Sequence, residues 1–513
     1  MNSLLRAGLL WMVVLALGCS PAPQAPPRTL LVFCAANLKK PIEAAAAQFH
    51  TEQGVEVQLQ FGGSGTLVSQ FRAAQRGDLF LASDQGSMDD AKRFDLIREV
   101  IPVAKQHPVI AVQTGNPKQI HSLEDLLKPG VRVALANPEA ASIGRVTKAT
   151  LSTIPQGAGT MWDALSAQAT VMKPTVTEIA SDLSLGAVDA AITFDSTVRQ
   201  FPKLEAIEVS PLKERDEIAS AGVLASCSQP TEALRFARYL AAPEKGGASF
   251  KANGFTPAGG DAWAARPELI LYSGGVNRPA VEGLLRQFAD REGIDLTTVF
   301  NGCGILCATM KAMGGTSNPK YPDAYYACDL CFVPPVAEQF KESVLLTETA
   351  IGIAVPHGNP AGVKTLADLG RPGLRIGVCN AEQSTLGFMT RGILKASGVI
   401  DAIRKNVAVE VPTGDFLINQ LRAGGLDAVI VYEVNAQSAP GALEFIPIAH
   451  EGAKAVQPFA VRDSSPHRQL GLRLLAFLQA NRASFENAGF VWRGDSAPVS
   501  SAQIEIPAWL TSK

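Results

Sequence analysis

The chain repeats itself, and the repeat limits what it can fold into. TLLVFCAANLKKP at 29–41 reads like ELILYSGGVNRP at 268–279, and FGGSGTL at 61–67 reads like FNGCGIL at 300–306, each pair 239 residues apart. Further along, GDLFLASD (77–84) matches PDAYYACD (322–329), VRVALANPEAASIG (131–144) matches LRIGVCNAEQSTLG (374–387) without a gap, and VDAAITFD (188–195) matches LDAVIVYE (426–433). ANGF (252–255) then matches NAGF (487–490), after the helical segments 230–252 and 467–487. Matches in one unbroken order mean a tandem duplication with its junction near 256–267, so one fold has to be explained twice.

Within a copy the hydrophobic period alternates between two and 3.6. Residues 29–35 are a β-branched apolar run, 41–52 have helical spacing, 55–60 (VEVQLQ) alternate as a strand, and 66–76 read as a helix after a Gly-rich turn. The rhythm returns as strand 131–136, helix 142–152, helix 177–186 and strand 188–193. Strands separated by helices of this length build parallel sheets covered on both faces. About 230 residues per copy is large for one such sheet, so each copy is expected to have two lobes with a ligand cleft at strand C-termini between them.

The N-terminus carries one positive charge, Arg6, then the apolar run 7–17 (AGLLWMVVLAL), Gly18 and Cys19. Eleven apolar residues span about 16 Å as a helix, roughly half a bilayer core, which is a signal peptide rather than a membrane span. Small residues before a cysteine resemble the lipobox of bacterial lipoproteins, which makes Cys19 the expected lipidated residue anchoring the chain to a membrane. The alternative is an ordinary signal peptide that happens to contain a cysteine. The Pro-rich 20–28 (SPAPQAPPR) is then a tether. With 46 basic against 48 acidic side chains and no basic run, nucleic acid is not an expected partner.

FGGSGTL is a strand-to-helix turn whose glycines admit a ligand to the backbone, while the NH groups of the helix's first turn point at it. Such a turn is an anion site without a charged side chain. Ser64 adds a hydroxyl, or serves only as the N-cap. The second copy has Cys303 in its place.

VFCAANLKKPIEAAAAQF, FGGSGTL, GDLFLASDQGSMDDA, TGNPKQIHSLEDLLKPGVRVALANPE and the closing FKANGF together resemble the molybdate-binding (ModA-type) periplasmic proteins of ABC transporters. The resemblance covers nearly all of 29–256 and, more loosely, 268–492. It implies two tandem type II periplasmic-binding modules, each of two α/β lobes with a hinge, that capture a small oxyanion through serine hydroxyls, backbone NH groups and a tyrosine and present it to an ABC permease. On that resemblance the first module would use Asn37, Ser64, the backbone near Ile143, the backbone of Val176, and Phe194 where the family has tyrosine. The second would use Val276, Cys303, the backbone near Leu386, Gly414 and Tyr432. The first copy thus loses the tyrosine hydroxyl and the second both serine hydroxyls, which makes the first the better oxyanion candidate. The expected organisation is signal peptide 1–19, tether 20–28, first module 29–262 and second, Cys-rich module 263–508.

Four of the eight cysteines, Cys303, Cys307, Cys328 and Cys331, fall close together. Cys303 aligns with Ser64 and Cys328 with Ser83. A Cys-x3-Cys and a Cys-x2-Cys fit a tetrahedral metal, with Zn, Fe or Cu as occupants. In an exported chain they also fit two structural disulfides, or free thiols. Cys379 sits in another cleft loop, whereas Cys34 and Cys227 read as core residues. No His-Glu-x-x-His, Walker A loop or Gly-x-Ser-x-Gly elbow occurs, so no enzyme is expected. Asp84 and Asp329 follow a strand in both copies and are candidates for the hinge. The expectation is a lipid-anchored, extracytoplasmic solute-binding protein. The competing expectations are a thiol- or metal-handling protein acting through the second copy, and a ligand sensor without a permease.

Overall fold

The computed structural model describes residues 28–511. The signal peptide, Cys19 and most of the tether lie outside the described residues. Among the described residues no helix is long and apolar enough to cross a membrane.

Each module consists of a terminal lobe, which holds both ends of the module, and an inserted lobe. In the first, the terminal-lobe sheet runs Thr256–Pro257, Ile97–Gln106, Glu217–Leu224, Leu79–Ala82, Arg28–Ala35, Val55–Gly62. Its last three strands are parallel, and Glu217–Leu224 is antiparallel to its neighbours. The inserted-lobe sheet runs Leu204–Ile207, Pro108–Gln113, Ala190–Phe194, Val133–Ala136, Val171–Lys173. The chain crosses between lobes twice, at His107 and between Ile207 and Glu217, which is the geometry of a two-segment hinge. Both copies start alike. The helices Lys39–Gln53 and Arg278–Glu292 each follow the first strand and stop at a glycine in the left-handed region, Gly54 (φ 65°) and Gly293 (φ 66°), where a side chain would be strained.

The second module differs at the hinge. One strand, Glu342–Pro356, pairs with Lys454–Val461 through Ser343–Ala350 and then with Ala428–Tyr432 through Ile351–Ala354, so it runs unbroken from one lobe into the other. Its buried apolar residues form one continuous cluster, whereas the first module has a separate cluster in its inserted lobe. The helical segments read as 230–252 and 467–487 are each two helices, Pro230–Ala241 with Gly246–Ala252, and Arg468–Ala480 with Arg482–Asn487. In the first, Pro243 lies at the break, where its ring removes a backbone donor and disfavours helix in the residue before it.

The lobes meet in both modules. Gly65 NH donates to Ala140 O at 3.1 Å in the first, and Ile305 NH to Gln383 O at 3.3 Å in the second. A Cβ on Gly63 would stand 2.6 Å from Pro174 O, and one on Gly302 2.9 Å from Pro412 O. Gly65 and Gly304 are tighter still against the carbonyls of Glu139 and Glu382. Backbone atoms on both sides cannot give way, so only glycine allows this approach.

The modules are joined through their terminal lobes. Glu292, fully buried, accepts from Arg238 Nη1 at 2.7 Å and from Arg473 Nε at 2.7 Å, placing one first-module guanidinium and one second-module guanidinium on one carboxylate. Arg291 pairs with Glu99 across the same joint. Asp261, in the connector, accepts from the NH groups of Gln469 and Leu470 at the start of the helix Arg468–Ala480. Burial alone would raise the Glu292 pKa, but the charges and hydrogen bonds of Arg473 and Arg238 outweigh it and hold it below the ordinary value.

Two outcomes follow from this packing. Glu292→Ala strands two arginines and costs about 3–5 kcal/mol, so calorimetry should show the modules melting apart, at lower temperature than in the native chain. Because the folded Glu292 pKa is depressed, its contribution is complete above the unfolded glutamate value and is lost as pH falls through the folded one. Gly65→Ala should hold the first cleft ajar, read as a larger radius of gyration in small-angle scattering with ligand present and weaker ligand binding.

Candidate functional site

In the first module a small cavity lies between the lobes, and Asn37, Ser64, Ile143, Val176 and Phe194 all line it. The sequence reading therefore placed all five on one wall system. Ser83, Ser142 and Thr175, which it did not assign as ligand residues, add the other polar side chains of the lining, and no charged side chain takes part. Three helices start there, Ser64–Ala74, Ser142–Leu151 and Val176–Ser184, and their first turns carry NH groups without intrahelical acceptors. Their dipoles supply a positive potential without a cation.

Ser64 Oγ accepts from Ser83 NH at 3.4 Å and lies 2.8 Å from Ser142 Oγ, which is in turn 2.5 Å from Asp84 Oδ1. A carboxylate only accepts, so the Ser142 proton goes to Asp84 and the Ser64 proton to Ser142. Asp84 also caps its own helix by accepting from Ser87 NH at 3.1 Å. It is therefore a cross-lobe latch behind the site and does not line the cavity. Asn37 Nδ2 donates to Gln106 Oε1 at 3.0 Å, and Ser196 Oγ donates to the same oxygen at 2.7 Å. Gln106 Nε2 then donates to Ser83 O at 2.8 Å, which fixes the loop bearing Ser83. An amide has two N–H bonds, so Asn37 keeps one donor for a ligand. Phe194 is buried and brings a ring without a hydroxyl.

The second module has a correspondingly small cavity, lined by Val276, Leu386, Gly414 and Tyr432 as expected, with Cys328 and Asn435 beside them. Cys303 does not line it, which corrects the expectation drawn from Ser64. Its side chain turns back toward the 328 loop and is fully buried, accepting from Cys328 NH at 3.1 Å just as Ser64 accepts from Ser83 NH. The Cys328 sulfur, 2.9 Å from that of Cys303, stands in front of it. Tyr432 Oη and Asn435 Oδ1 are buried without a hydrogen-bond partner. Burial, with the nearby Cys328 and Asp329, pushes the Tyr432 pKa well up, so its hydroxyl stays a donor.

The four clustered cysteines do not share a centre. Cys307 Sγ is turned to Tyr325 Oη at 3.7 Å and Phe332 O at 3.5 Å, and burial pushes its pKa up to about 12. The loop of Cys331 is tied down where Cys331 NH donates to Asp329 Oδ1 at 2.9 Å, and burial also raises the Cys331 thiol pKa. All seven described cysteines are free thiols, so neither of the two expected disulfides is formed. Among the described residues no group of three or more His, Cys, Asp or Glu is arranged to hold a metal ion. The spacing misled because a helical turn and a strand end bring cysteines near one another without aiming their sulfurs at one point. Cys34 and Cys379 are buried core thiols, and Cys227 is half-buried. Asp329 is tied to the NH groups of Cys331 and Val456, each at 2.9 Å, a structural role within the terminal lobe.

Comparison with known proteins agrees with the duplication. The model of the bacterial extracellular solute-binding protein family matches twice, at residues 30–256 and 269–491. The molybdate-binding protein ModA of Mycobacterium tuberculosis is 26% identical over 245 residues, 47% of this chain and 90% of that protein. ModA of Escherichia coli is 32% identical over 145 residues, 27% of this chain and 54% of that protein. Among solved structures, the periplasmic molybdate-binding protein of Azotobacter vinelandii aligns over 44% of this chain and 98% of its own at 20% identity, with a TM-score of 0.38. With both halves matched, the chain belongs to the bacterial extracellular solute-binding protein family and carries that family's domain twice.

Proposed function

We propose that the first module captures a tetrahedral oxyanion of the molybdate or tungstate class and hands it to an ABC permease, with the protein held at the outer face of a membrane through Cys19. The observation that carries this reading is the uncharged cavity on which three helix starts and the hydroxyls of Ser64, Ser83 and Ser142 converge. Fixed dipoles replace the water shell of an anion without an ion pair, so release requires only that the hinge reopen. The names of the relatives point to the same ligand class. The set of groups suits binding: the carboxylate beside the Ser142 hydroxyl, Asp84, stands behind the cavity and is engaged in the latch and in its own helix cap, which supports a carrier rather than a catalyst.

In titration calorimetry the full chain should bind molybdate or tungstate at one site per chain, the Ser64 hydroxyl turning its proton from Ser142 to the anion, and Ser64→Ala should weaken that binding about tenfold, the worth of a hydrogen bond to a charged ligand. Absence of binding by either anion to correctly folded protein would sink the reading. Cys19→Ala should move the chain from the membrane fraction to the soluble extracytoplasmic fraction; retention in the membrane would count against the lipid anchor.

A further inference from the structure

Cys303 and Cys328 replace the paired hydroxyls of Ser64 and Ser83, and nothing separates their sulfurs, which lie 2.9 Å apart. A disulfide bond is about 2.05 Å long, so the sulfurs need to move together by less than an ångström. The fold makes room for them here. Gly274, at the end of the strand Glu268–Gly274, has no Cβ where one would overlap the Cys328 sulfur. The pairing is also specific, since Cys307 is turned to Tyr325 and Phe332 and the loop of Cys331 is tied to Asp329. Cys328 lines the cavity, so a reactant entering the cleft meets it first. The family is extracellular, where disulfide oxidants are available to thiols.

We propose that Cys303 and Cys328 are a reversible dithiol–disulfide couple in the second cleft, oxidised by exchange with a small-molecule or protein disulfide, R–S–S–R. Cys303 first gives its proton to solvent; Cys328 then passes its proton to the Cys303 thiolate and attacks one sulfur of the incoming disulfide, expelling R–S⁻. Cys303 gives a proton to that leaving group and attacks Cys328 Sγ, expelling the second R–S⁻, which is protonated by solvent. Two thiols lose two electrons, one S–S bond forms in the cleft, one breaks in the reactant, and two R–SH leave. The electrostatics rest the thiolate on Cys303: burial raises its pKa, but the Cys328 hydrogen bond brings it below the ordinary thiol value. That hydrogen bond and burial push Cys328 well up, so Cys328 attacks from the minor form reached by the proton shift. Oxidation replaces a polar thiol pair with a neutral, apolar disulfide beside Tyr432, so the second cleft responds to the redox state of its surroundings and the first does not. This inference is independent of the oxyanion reading of the first module.

The test equilibrates the full chain across ratios of oxidised to reduced glutathione, followed by alkylation and peptide mass mapping. Trypsin leaves Cys303 with Cys307 in 292–311 and Cys328 with Cys331 in 321–341, so the Cys307→Ser, Cys331→Ser background assigns the bond. Fragmentation of the linked native peptides assigns it again without any substitution. The expected result is a 303–328 cross-link that grows with the oxidised fraction, disappears with dithiothreitol and is absent in Cys328→Ser. Free Cys303 and Cys328 at every ratio, or a link between any other pair, overturns the proposal.

Discussion

Closure of the two lobes depends on four positions where a side chain cannot exist. Gly63 and Gly65 in the first module and Gly302 and Gly304 in the second let a helix start press against carbonyls of the opposite lobe. Their φ angles are not the issue, since Gly63 has an ordinary φ of −70°. The requirement is space, and backbone atoms on the far side cannot yield. Because the approach is this close, three helix starts, two from the inserted lobe, reach one small volume. The latch from Ser64 through Ser142 to Asp84 forms only across that closed gap.

The duplication kept this backbone and changed the atoms it presents. An NH donates to the side chain of the first helical residue in both copies, to an oxygen in one and a sulfur in the other. A sulfur is larger and a poorer hydrogen-bond acceptor, which leaves the second cleft with fewer hydroxyls, a buried thiol pair and an unpartnered tyrosine. The hinge changed as well. A break at His107 became an unbroken strand, Glu342–Pro356, with one apolar cluster through both lobes. The two copies are thus one scaffold with two chemistries and two hinge constructions.

What was legible in the sequence was whatever depends on local pattern. The strand–helix rhythm and the Gly-rich turns follow from local pattern, whereas the set Asn37, Ser64, Ile143, Val176 and Phe194 was implied by the family resemblance; all five line the cavity. Contacts between distant residues were not legible. Ser142 meets Ser64 and Asp84 only after the inserted lobe folds back, and Gln106 reaches Asn37 from the hinge. The cysteines show the limit most clearly. The direction of each sulfur is set by rotamer and by neighbours such as Tyr325, so the close sulfur contact, Cys303 to Cys328, joins one motif to the other.

The joint at Glu292 has a mechanical consequence. Arg238, Glu292 and Arg473 all belong to terminal lobes, as do Glu99 and Arg291, so the two terminal lobes are tied directly to each other as one frame. The inserted lobes hang from it like two doors on one frame, each swinging on its own hinge without shearing the central weld. A partner that grips the frame therefore meets both mouths at a fixed spacing and orientation, whichever door stands open.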